Sequence, residues 1–287
     1  DISGSTKSDI IAGKATGTVP NYFTVATEFG NVEEALELDQ LDMILAPMAT
    51  RIVTDLELDL GRYMAKNCNL SYGTPGTVVD AWADVAGAGS LMDSIGVPKD
   101  RTWMYAMNPF TCQNLASTQA GLGAGSNDLV DSAWKRAQVS TPFGGLQCIS
   151  SNALPTRTVT TAADLAGTIT GTPDVTYVTA KDTMTQTIGV TGFTASAVVK
   201  AGDVVEITGR YRRSLSTREV ITGADGAAIK WRGVVTADVT LGTAGEGNLV
   251  VAGPAIYEAT GQYNTADSAI AASDVITILG TSGGLVQ

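Results

Sequence analysis

The segment Phe143-Gly-Gly-Leu-Gln-Cys-Ile-Ser-Ser-Asn-Ala-Leu-Pro155 lies where the composition of this sequence changes. Its two glycines precede a strand pattern, Leu-Gln-Cys-Ile, and its closing Leu-Pro pair ends regular structure. Of the threonines, 13 lie in residues 1–150 and 24 in residues 151–287. Because threonine is β-branched and favours strands, we predict a mixed helix and strand region before this segment and an all-β region after it.

The composition of the whole chain excludes several kinds of protein. The 287 residues carry 18 Lys and Arg against 29 Asp and Glu, a formal net charge of −11, and they include no His. Without His, neither a Ser-His-Asp nor a Cys-His mechanism is available. The acidic balance disfavours tight nucleic-acid binding. Apolar runs such as Met43–Met48 are too short to span a membrane, and we expect no signal peptide within these residues.

The cysteines do not form a recognisable motif. Cys68, Cys112 and Cys148 are odd in number, and their spacing fits neither a zinc site nor a redox pair. We interpret them as three small buried apolar residues in a reducing compartment.

A long helix is predicted over Ala46–Asn67, with Pro47 tolerated in its first turn. Apolar residues recur every four positions along it and form one stripe: Ile52, Leu56, Leu60, Met64 and Cys68. Asp55, Glu57 and Asp59 are spaced by two on this helix, so their carboxylates diverge. We therefore expect no paired general acid and base here.

The other predicted elements are shorter. Residues 1–20 are expected to form an irregular arm, and the glycines of 121–125 a mobile connection. In the first half we predict strands at 22–29, 101–107 and 144–149, and helices after Asn31, at 77–95, from Pro109 to about Thr118, and at 128–138. In the second half we predict strands at 175–180, 186–191, 203–209, 228–237, 248–252 and 274–279, which is typical of a small barrel or sandwich.

Two patterns resemble ligand sites only in part. The five acids of Glu33–Asp42 lack the alternating ligands and the glycine turn of a calcium loop, so we interpret them as a solvated helix face. The stretch Gly121–Gly125 lacks the Gly-Lys-Ser/Thr ending and the preceding strand of a phosphate loop. We predict no catalytic residue, no metal site and no cofactor.

The basic residues of the second half concentrate between two predicted strands. Arginine forms bidentate pairs with carboxylates and is enriched at protein interfaces. We favour a loop of unpaired arginines that contacts acidic neighbouring copies; a solvated loop and a nucleic-acid contact stay open. The candidate inter-subunit contact residues are Arg210, Tyr211, Arg212, Arg213 and Arg218.

The order of these elements and several short segments resemble the major capsid proteins of tailed double-stranded DNA bacteriophages, which have the Hong Kong-97-type fold. Three of the segments lie before residue 156: Trp103-Met-Tyr-Ala-Met-Asn-Pro109, Phe143-Gly-Gly-Leu-Gln-Cys-Ile149 and Asn152-Ala-Leu-Pro155. The chain is most similar to the coat proteins of P22-like podoviruses, which insert a β-barrel after the Leu-Pro segment. Ala201-Gly-Asp-Val-Val-Glu-Ile-Thr-Gly209 resembles one of their barrel strands.

This resemblance implies an α+β protein of the Hong Kong-97-type capsid fold, with a long spine helix, axial and peripheral domains, and an inserted all-β barrel domain. Residues 1–27 would be a remnant of an extended loop or arm with a strand. Residues 28–156 would form the peripheral and axial domains, residues 157–280 the inserted β-barrel domain, and residues 281–287 the start of a return segment to the axial domain. Loops of the barrel would contact neighbouring capsomers.

The implied function is that of a major capsid protein, a structural subunit and not an enzyme, which self-assembles into the icosahedral head shell around phage DNA. Expected partners are other copies in hexamers and pentamers, a scaffolding protein, a portal, and packaged DNA held weakly and non-specifically, with no membrane. The protein would be a virion component assembled in the host bacterial cytoplasm. One alternative is a surface adhesin or carbohydrate-binding β-module with an exposed aromatic platform, and another is a hydrolase with two converging carboxylates.

Overall fold

The computed structural model describes residues 11–17, 24–26, 41–121 and 127–286. The predicted helix after Asn31, the acids at 33–40 and most of the 121–125 glycine stretch lie outside these ranges. The predicted strand at 22–29 is described only at Thr24–Ala26, which has no regular secondary structure.

The first described helix, α1, spans Leu41–Asn67 and therefore begins earlier than predicted, so that Pro47 lies inside it. Within the helix, the Thr50 hydroxyl donates to the Ala46 carbonyl, and Arg51 pairs with Asp55 at 2.9 Å. The apolar stripe is largely exposed: Leu56, Leu60 and Met64 are each more than half accessible. The four-residue spacing predicted the helix correctly, but no described part of the chain covers its apolar face.

After α1 the chain forms a small mixed body. It comprises α2 (Trp82–Ile95), β1 (Met104–Met107), α3 (Pro109–Gly121), α4 (Asn127–Arg136), β2 (Pro142–Phe143) and β3 (Leu146–Ser150). Strand β3 lies between β1, to which it is parallel, and β2, to which it is antiparallel. The core of this body consists of Val85, Met107, Leu115, Phe143 and Leu146.

Local signals explain where these elements begin and end. The Asp84 carboxylate accepts from the backbone N–H of Ala81 at 3.1 Å, so α2 begins at Trp82, five residues later than predicted. The Asn108 side chain accepts from Thr111 N–H at 2.6 Å and caps α3, with Pro109 at its first position. The predicted strand at 101–107 shortens to β1, and the glycines predicted as part of β3 instead form the turn from β2.

The second half contains a closed six-stranded barrel. Its strands are β5 (Ala166–Thr170), β6 (Thr185–Thr191), β8 (Val204–Tyr211), β9 (Lys230–Val235), β11 (Gly247–Ala252) and β12 (Val275–Ile278), in the order β11-β6-β5-β12-β8-β9. All these pairings are antiparallel, and β9 closes the barrel on β11. The alternation of β6 places Gln186, Ile188 and Val190 inside, and fully buried Trp231 belongs to the same core.

Five of the six strands predicted in this half are present with shifted ends, and one prediction is wrong. Residues 177–180 form a short helix, α5 (Tyr177–Ala180), because Thr176 caps it through the backbone N–H of Thr179. Strand β5 was not predicted. Three more pairs of residues form β4 (Arg157–Thr158), β7 (Val198–Val199) and β10 (Val239–Thr240), and β13 (Leu285–Val286) ends the described chain.

The cysteines only partly match the prediction. All three are free thiols, but Cys68 is exposed, since it follows the uncovered end of α1. Cys112 and Cys148 are half-buried beside the core of the mixed body. Burial raises the pKa of the Cys148 thiol, and the neighbouring Cys112 raises it further.

Candidate functional site

The candidate arginines lie at the end of β8 and in the hairpin that follows it. Arg210 and Tyr211 are the last residues of β8. Arg212 bridges to Ala266 and Arg213 to Val220, so neither belongs to a free loop. The structure therefore places Arg210–Arg213 in a strand and the bridges that follow it, rather than in the predicted loop of unpaired side chains, and Arg218 lies in the turn beyond them.

Arg210 is paired within its own chain. Its Nη2 donates to the Asp274 carboxylate at 2.5 Å, and both side chains are mostly buried. Asp274 directly precedes β12, which neighbours β8 in the barrel. This pair thus ties together two adjacent barrel strands, and the expectation that Arg210 is unpaired was wrong.

Arg212 is buried, with 8% of its surface accessible. Its Nη2 donates to the carbonyl of Arg232 at 2.6 Å and to the carbonyl of Asn69 at 3.2 Å. Burial, helped by the nearby Arg232 charge, lowers the pKa of Arg212 to about 10. The expectation of an accessible Arg212 was wrong, because this side chain reaches inward to the segment after α1.

A second ion network lies beside Arg212 on the paired strands β8 and β9. The nearly buried Glu206 accepts from Lys230 Nζ at 2.6 Å and from Arg232 Nε at 3.2 Å. Arg232 Nη1 donates to the carbonyl of Gly73 at 2.7 Å. Arg212 and Arg232 together therefore fasten the barrel to residues 69–73, which connect α1 to α2.

Apolar contacts reinforce this junction. Leu91 and Ile95 of α2 pack against Ile221 of the hairpin, with Leu70 and Ile229 at the margin. The backbone N–H of Leu215 also donates to the carbonyl of Ile95 at 2.9 Å. The hairpin that follows β8 therefore packs against the C-terminal end of α2.

Arg218 is the candidate that stays accessible. It lies in the turn at 214–219, with its backbone in the left-handed region at φ 63° and its side chain exposed. Its carbonyl accepts from Arg213 Nη1 at 3.2 Å. Leu215 in the same turn is 59% exposed. The part of the candidate site that can contact another molecule is therefore this turn, which we call the 214–219 turn.

A buried carboxylate near the entrance to the barrel was missed by the sequence analysis. Asp203 has no accessible surface, and its carboxylate accepts from Arg157, from the backbone N–H and hydroxyl of Thr160, and from the backbone N–H of Lys200. A Cβ added at Gly202 would lie 3.0 Å from the Arg157 side chain and 3.3 Å from the Ala65 carbonyl oxygen of α1. The only sequence signal for such a cluster was an Asp directly before an apolar strand.

The remaining sequence candidates do not form a reactive centre in the described residues. Asp55 pairs with Arg51, and Glu57 accepts from the Ser151 hydroxyl at 2.8 Å, so these two carboxylates serve different contacts. Over 11–17, 24–26, 41–121 and 127–286, no three acidic or cysteine side chains gather in a way that could hold a metal ion. In the same ranges, no helix is both long and apolar enough to cross a bilayer.

Two aromatic residues of the second half, which are far apart in the sequence, are neighbours in the structure. The rings of Tyr177 and Tyr263 stack with centroids 4.2 Å apart and an angle of 22° between their planes. Tyr263 remains 37% exposed. Within the part of the second half that the structure describes, this is one stacked pair of rings rather than the extended platform expected of a carbohydrate-binding surface.

Comparison with known proteins places the chain in a class that fits this architecture, the coat proteins of bacteriophages. The family described as P22 coat protein, gene protein 5, matches residues 1–286. The chain is also 37% identical over 287 residues to a major capsid protein of Acyrthosiphon pisum secondary endosymbiont phage 1. That alignment covers 98% of this chain and 66% of the relative, so the chain spans about two thirds of the relative's length. The chain belongs to the P22 coat protein family.

Proposed function

We propose that this chain is the shell-forming part of a phage major capsid protein, a structural subunit that assembles with copies of itself into an icosahedral head around double-stranded DNA. The observation that carries this proposal is the family match across residues 1–286. The family match favours this function over the adhesin alternative. The subunit would be a virion component without catalytic activity.

We propose the Hong Kong-97-type arrangement for its fold, with α1 as the spine helix and the barrel as an insertion spanning 157–280. Support comes from the way in which the chain enters and leaves the barrel. Strand β4 pairs with β13, so that Thr158 lies opposite Leu285, and Val159 N–H donates to the Gly284 carbonyl at 2.9 Å. An inserted domain needs neighbouring entry and exit points, because the host domain must continue from where it was interrupted.

Both α1 and the mixed body expose apolar side chains in a manner that suits a subunit with neighbours. On α1, Val53, Leu56, Leu60 and Met64 are each more than half exposed. Elsewhere Phe110 is 77% exposed, and it lines a groove with Val78 and Leu285. Soluble monomers rarely leave such areas uncovered. We propose that they are covered in the assembled shell.

The proposed partners follow from the same function. Copies of the chain would form hexamers and pentamers, and the 214–219 turn would contact an adjacent capsomer. A scaffolding protein and a portal would take part in assembly. Packaged DNA would be touched weakly, since the net charge of −11 opposes phosphate binding.

Expression of the full-length protein followed by sedimentation velocity and negative-stain microscopy tests this proposal. We expect closed shells, or capsomer-sized rings that close into shells once a scaffolding protein is added. A protein that stays monomeric at every concentration with and without scaffold would contradict it. Binding of such a monomer to a glycan array would favour the adhesin.

A further inference from the structure

A half-open cavity of about 260 Å³ lies between the barrel and the segment after α1. Leu70–Gly73 form one wall of it. The facing wall comes from β8, β9 and the residues that follow β8, and it presents Glu206, Arg212, Lys230 and Arg232. The cavity is distinct from the 214–219 turn and from the apolar groove at Phe110.

The cavity carries an excess of positive charge in an otherwise acidic protein. It is lined by three cationic side chains and one carboxylate, Glu206, which already accepts from Lys230 and Arg232. Among the described residues, no carboxylate lies within ion-pair distance of Arg212. A buried charge without a counter-ion is costly, so an anion that entered here would be bound favourably.

Arg212 also has N–H groups that donate to no acceptor within the described residues. Only its Nη2 bonds to the protein, and both acceptors are neutral carbonyls. A guanidinium has five N–H groups in a fixed plane, so the N–H groups of Nε and Nη1 can each still donate a single hydrogen bond to an anion. Burial lowers the pKa of this group to about 10, which still leaves it fully charged at neutral pH.

The other walls of the cavity indicate which kind of anion fits. Leu70, Leu91 and Ile229 line it together with the charged groups. Inorganic phosphate would gain nothing from these apolar surfaces. A carboxylate on a short aliphatic stem would bury its methylene groups against them while its oxygens face Arg212 and Lys230.

We propose that this cavity is a binding site for an acidic side chain, aspartate or glutamate, of another polypeptide. This chain would form the whole site, at the junction of the barrel and the segment after α1, and the partner chain would insert the acidic side chain. The proposal does not depend on shell formation, because a soluble subunit would present the same cavity.

The test uses the soluble chain and a small probe, N-acetyl-glutamate amide, with the neutral N-acetyl-glutamine amide as its match. Binding is followed by NMR through the amides of residues 70–73 and the Ile229 methyl groups. We expect millimolar binding of the charged probe, with shifts confined to the cavity. Lys230→Gln should weaken it about fivefold, because it removes a positive charge that attracts the probe. Glu206→Gln should tighten it, because it removes a negative charge that repels the probe and pairs with Lys230 and Arg232.

Lys200→Gln serves as the control, because Lys200 is a half-exposed lysine paired with Asp238 outside the cavity. The affinity of the Lys200→Gln variant for the charged probe should equal that of the wild type. Equal binding of the neutral amide, equal weakening by Lys200→Gln, or no shifts in either the wild type or Glu206→Gln would overturn the proposal. Binding of inorganic phosphate in place of the charged amide would overturn the assignment of a side-chain carboxylate.

Discussion

Arg157 and Asp203 form an ion pair of 2.8 Å across 46 positions of sequence, with the Asp203 carboxylate fully buried. Arg157 lies in β4, where the chain enters the barrel, and Asp203 directly precedes β8. The remaining acceptor capacity of Asp203 is used by Thr160 and by Lys200 N–H. The Asp203 carboxylate therefore links β4, Thr160 and the turn before β8 where the chain enters the barrel.

Asp203→Ala should destabilise the chain by about 3 kcal/mol, since it removes the partner of the mostly buried Arg157 guanidinium and leaves the backbone N–H of Thr160 without its acceptor. Chemical denaturation measures this directly. Asp238→Ala is the matched control, because Asp238 lies close by and accepts from Ala201 N–H at 2.8 Å but is 57% exposed. Its cost should stay below about 1 kcal/mol. Equal effects of the two variants would show that the buried network does not stabilise the barrel entrance.

Gly253 should be sensitive to substitution because of what it touches. Its φ is 79°, and a Cβ added there would lie 2.4 Å from the Cβ of Asn69, in the segment to which the barrel is fastened. Gly209 has a similar φ of 75° but open space around it. Both Gly→Ala changes incur the backbone strain of about 1 kcal/mol, and Gly253→Ala should add about 1–3 kcal/mol of steric conflict.

Thermal unfolding followed by calorimetry distinguishes the two glycine variants. Gly253→Ala should separate the transitions of the barrel and of the mixed body, because it pushes the barrel away from Asn69. Gly209→Ala should lower the temperature of the shared transition without dividing it, because the junction at Asn69 stays intact. If both variants unfold alike, the close approach at Asn69 does not couple the two parts.

The 214–219 turn provides the test of the proposed contact between capsomers. Arg218→Glu should leave the free energy of unfolding within about 0.5 kcal/mol, since the side chain is exposed and the backbone conformation is kept. It should reduce the yield of closed particles, and Arg218→Lys should restore the yield. Arg212→Glu should instead fail at the folding stage, because Arg212 is buried at the barrel junction. Normal particles from Arg218→Glu would remove this turn from the contacts.

The cysteines should differ in reactivity with pH. Cys68 is exposed and should react rapidly with a thiol reagent at pH 7.5. Burial raises the pKa of the Cys148 thiol above its ordinary value of 9.0, so a smaller fraction of Cys148 is thiolate at neutral pH. Its labelling should therefore be slower than that of Cys68, and it should accelerate as the pH rises. Mass spectrometry of the labelled peptides measures both rates, with Cys68→Ser as the control. Faster labelling of Cys148 than of Cys68 would contradict the described burial.

Sequence patterns predicted the elements well where local chemistry decides them. The β-branched residues of Val204–Ile207 and the Asn108-Pro109 pair each determine a structure within a few residues. The same patterns could not predict the hydrogen-bond partners of the arginines, because these partners are distant in the sequence. Arg232, for example, donates to the carbonyl of Gly73, 159 positions away. Nor could they predict that the α1 stripe is exposed, because periodicity defines an apolar face but not what covers it. Residues 177–180 formed a helix because the Thr176 cap outweighs the strand propensity of its neighbours.

A cryo-electron microscopy map of particles assembled from the full-length protein would show whether this chain forms a lattice with copies of itself. We expect an icosahedral lattice in which the exposed face of α1 is covered and Arg212 and Arg232 join the six-stranded barrel to residues 69–73. A lattice without this barrel, or a protein that forms no ordered particle under any assembly condition, would contradict it.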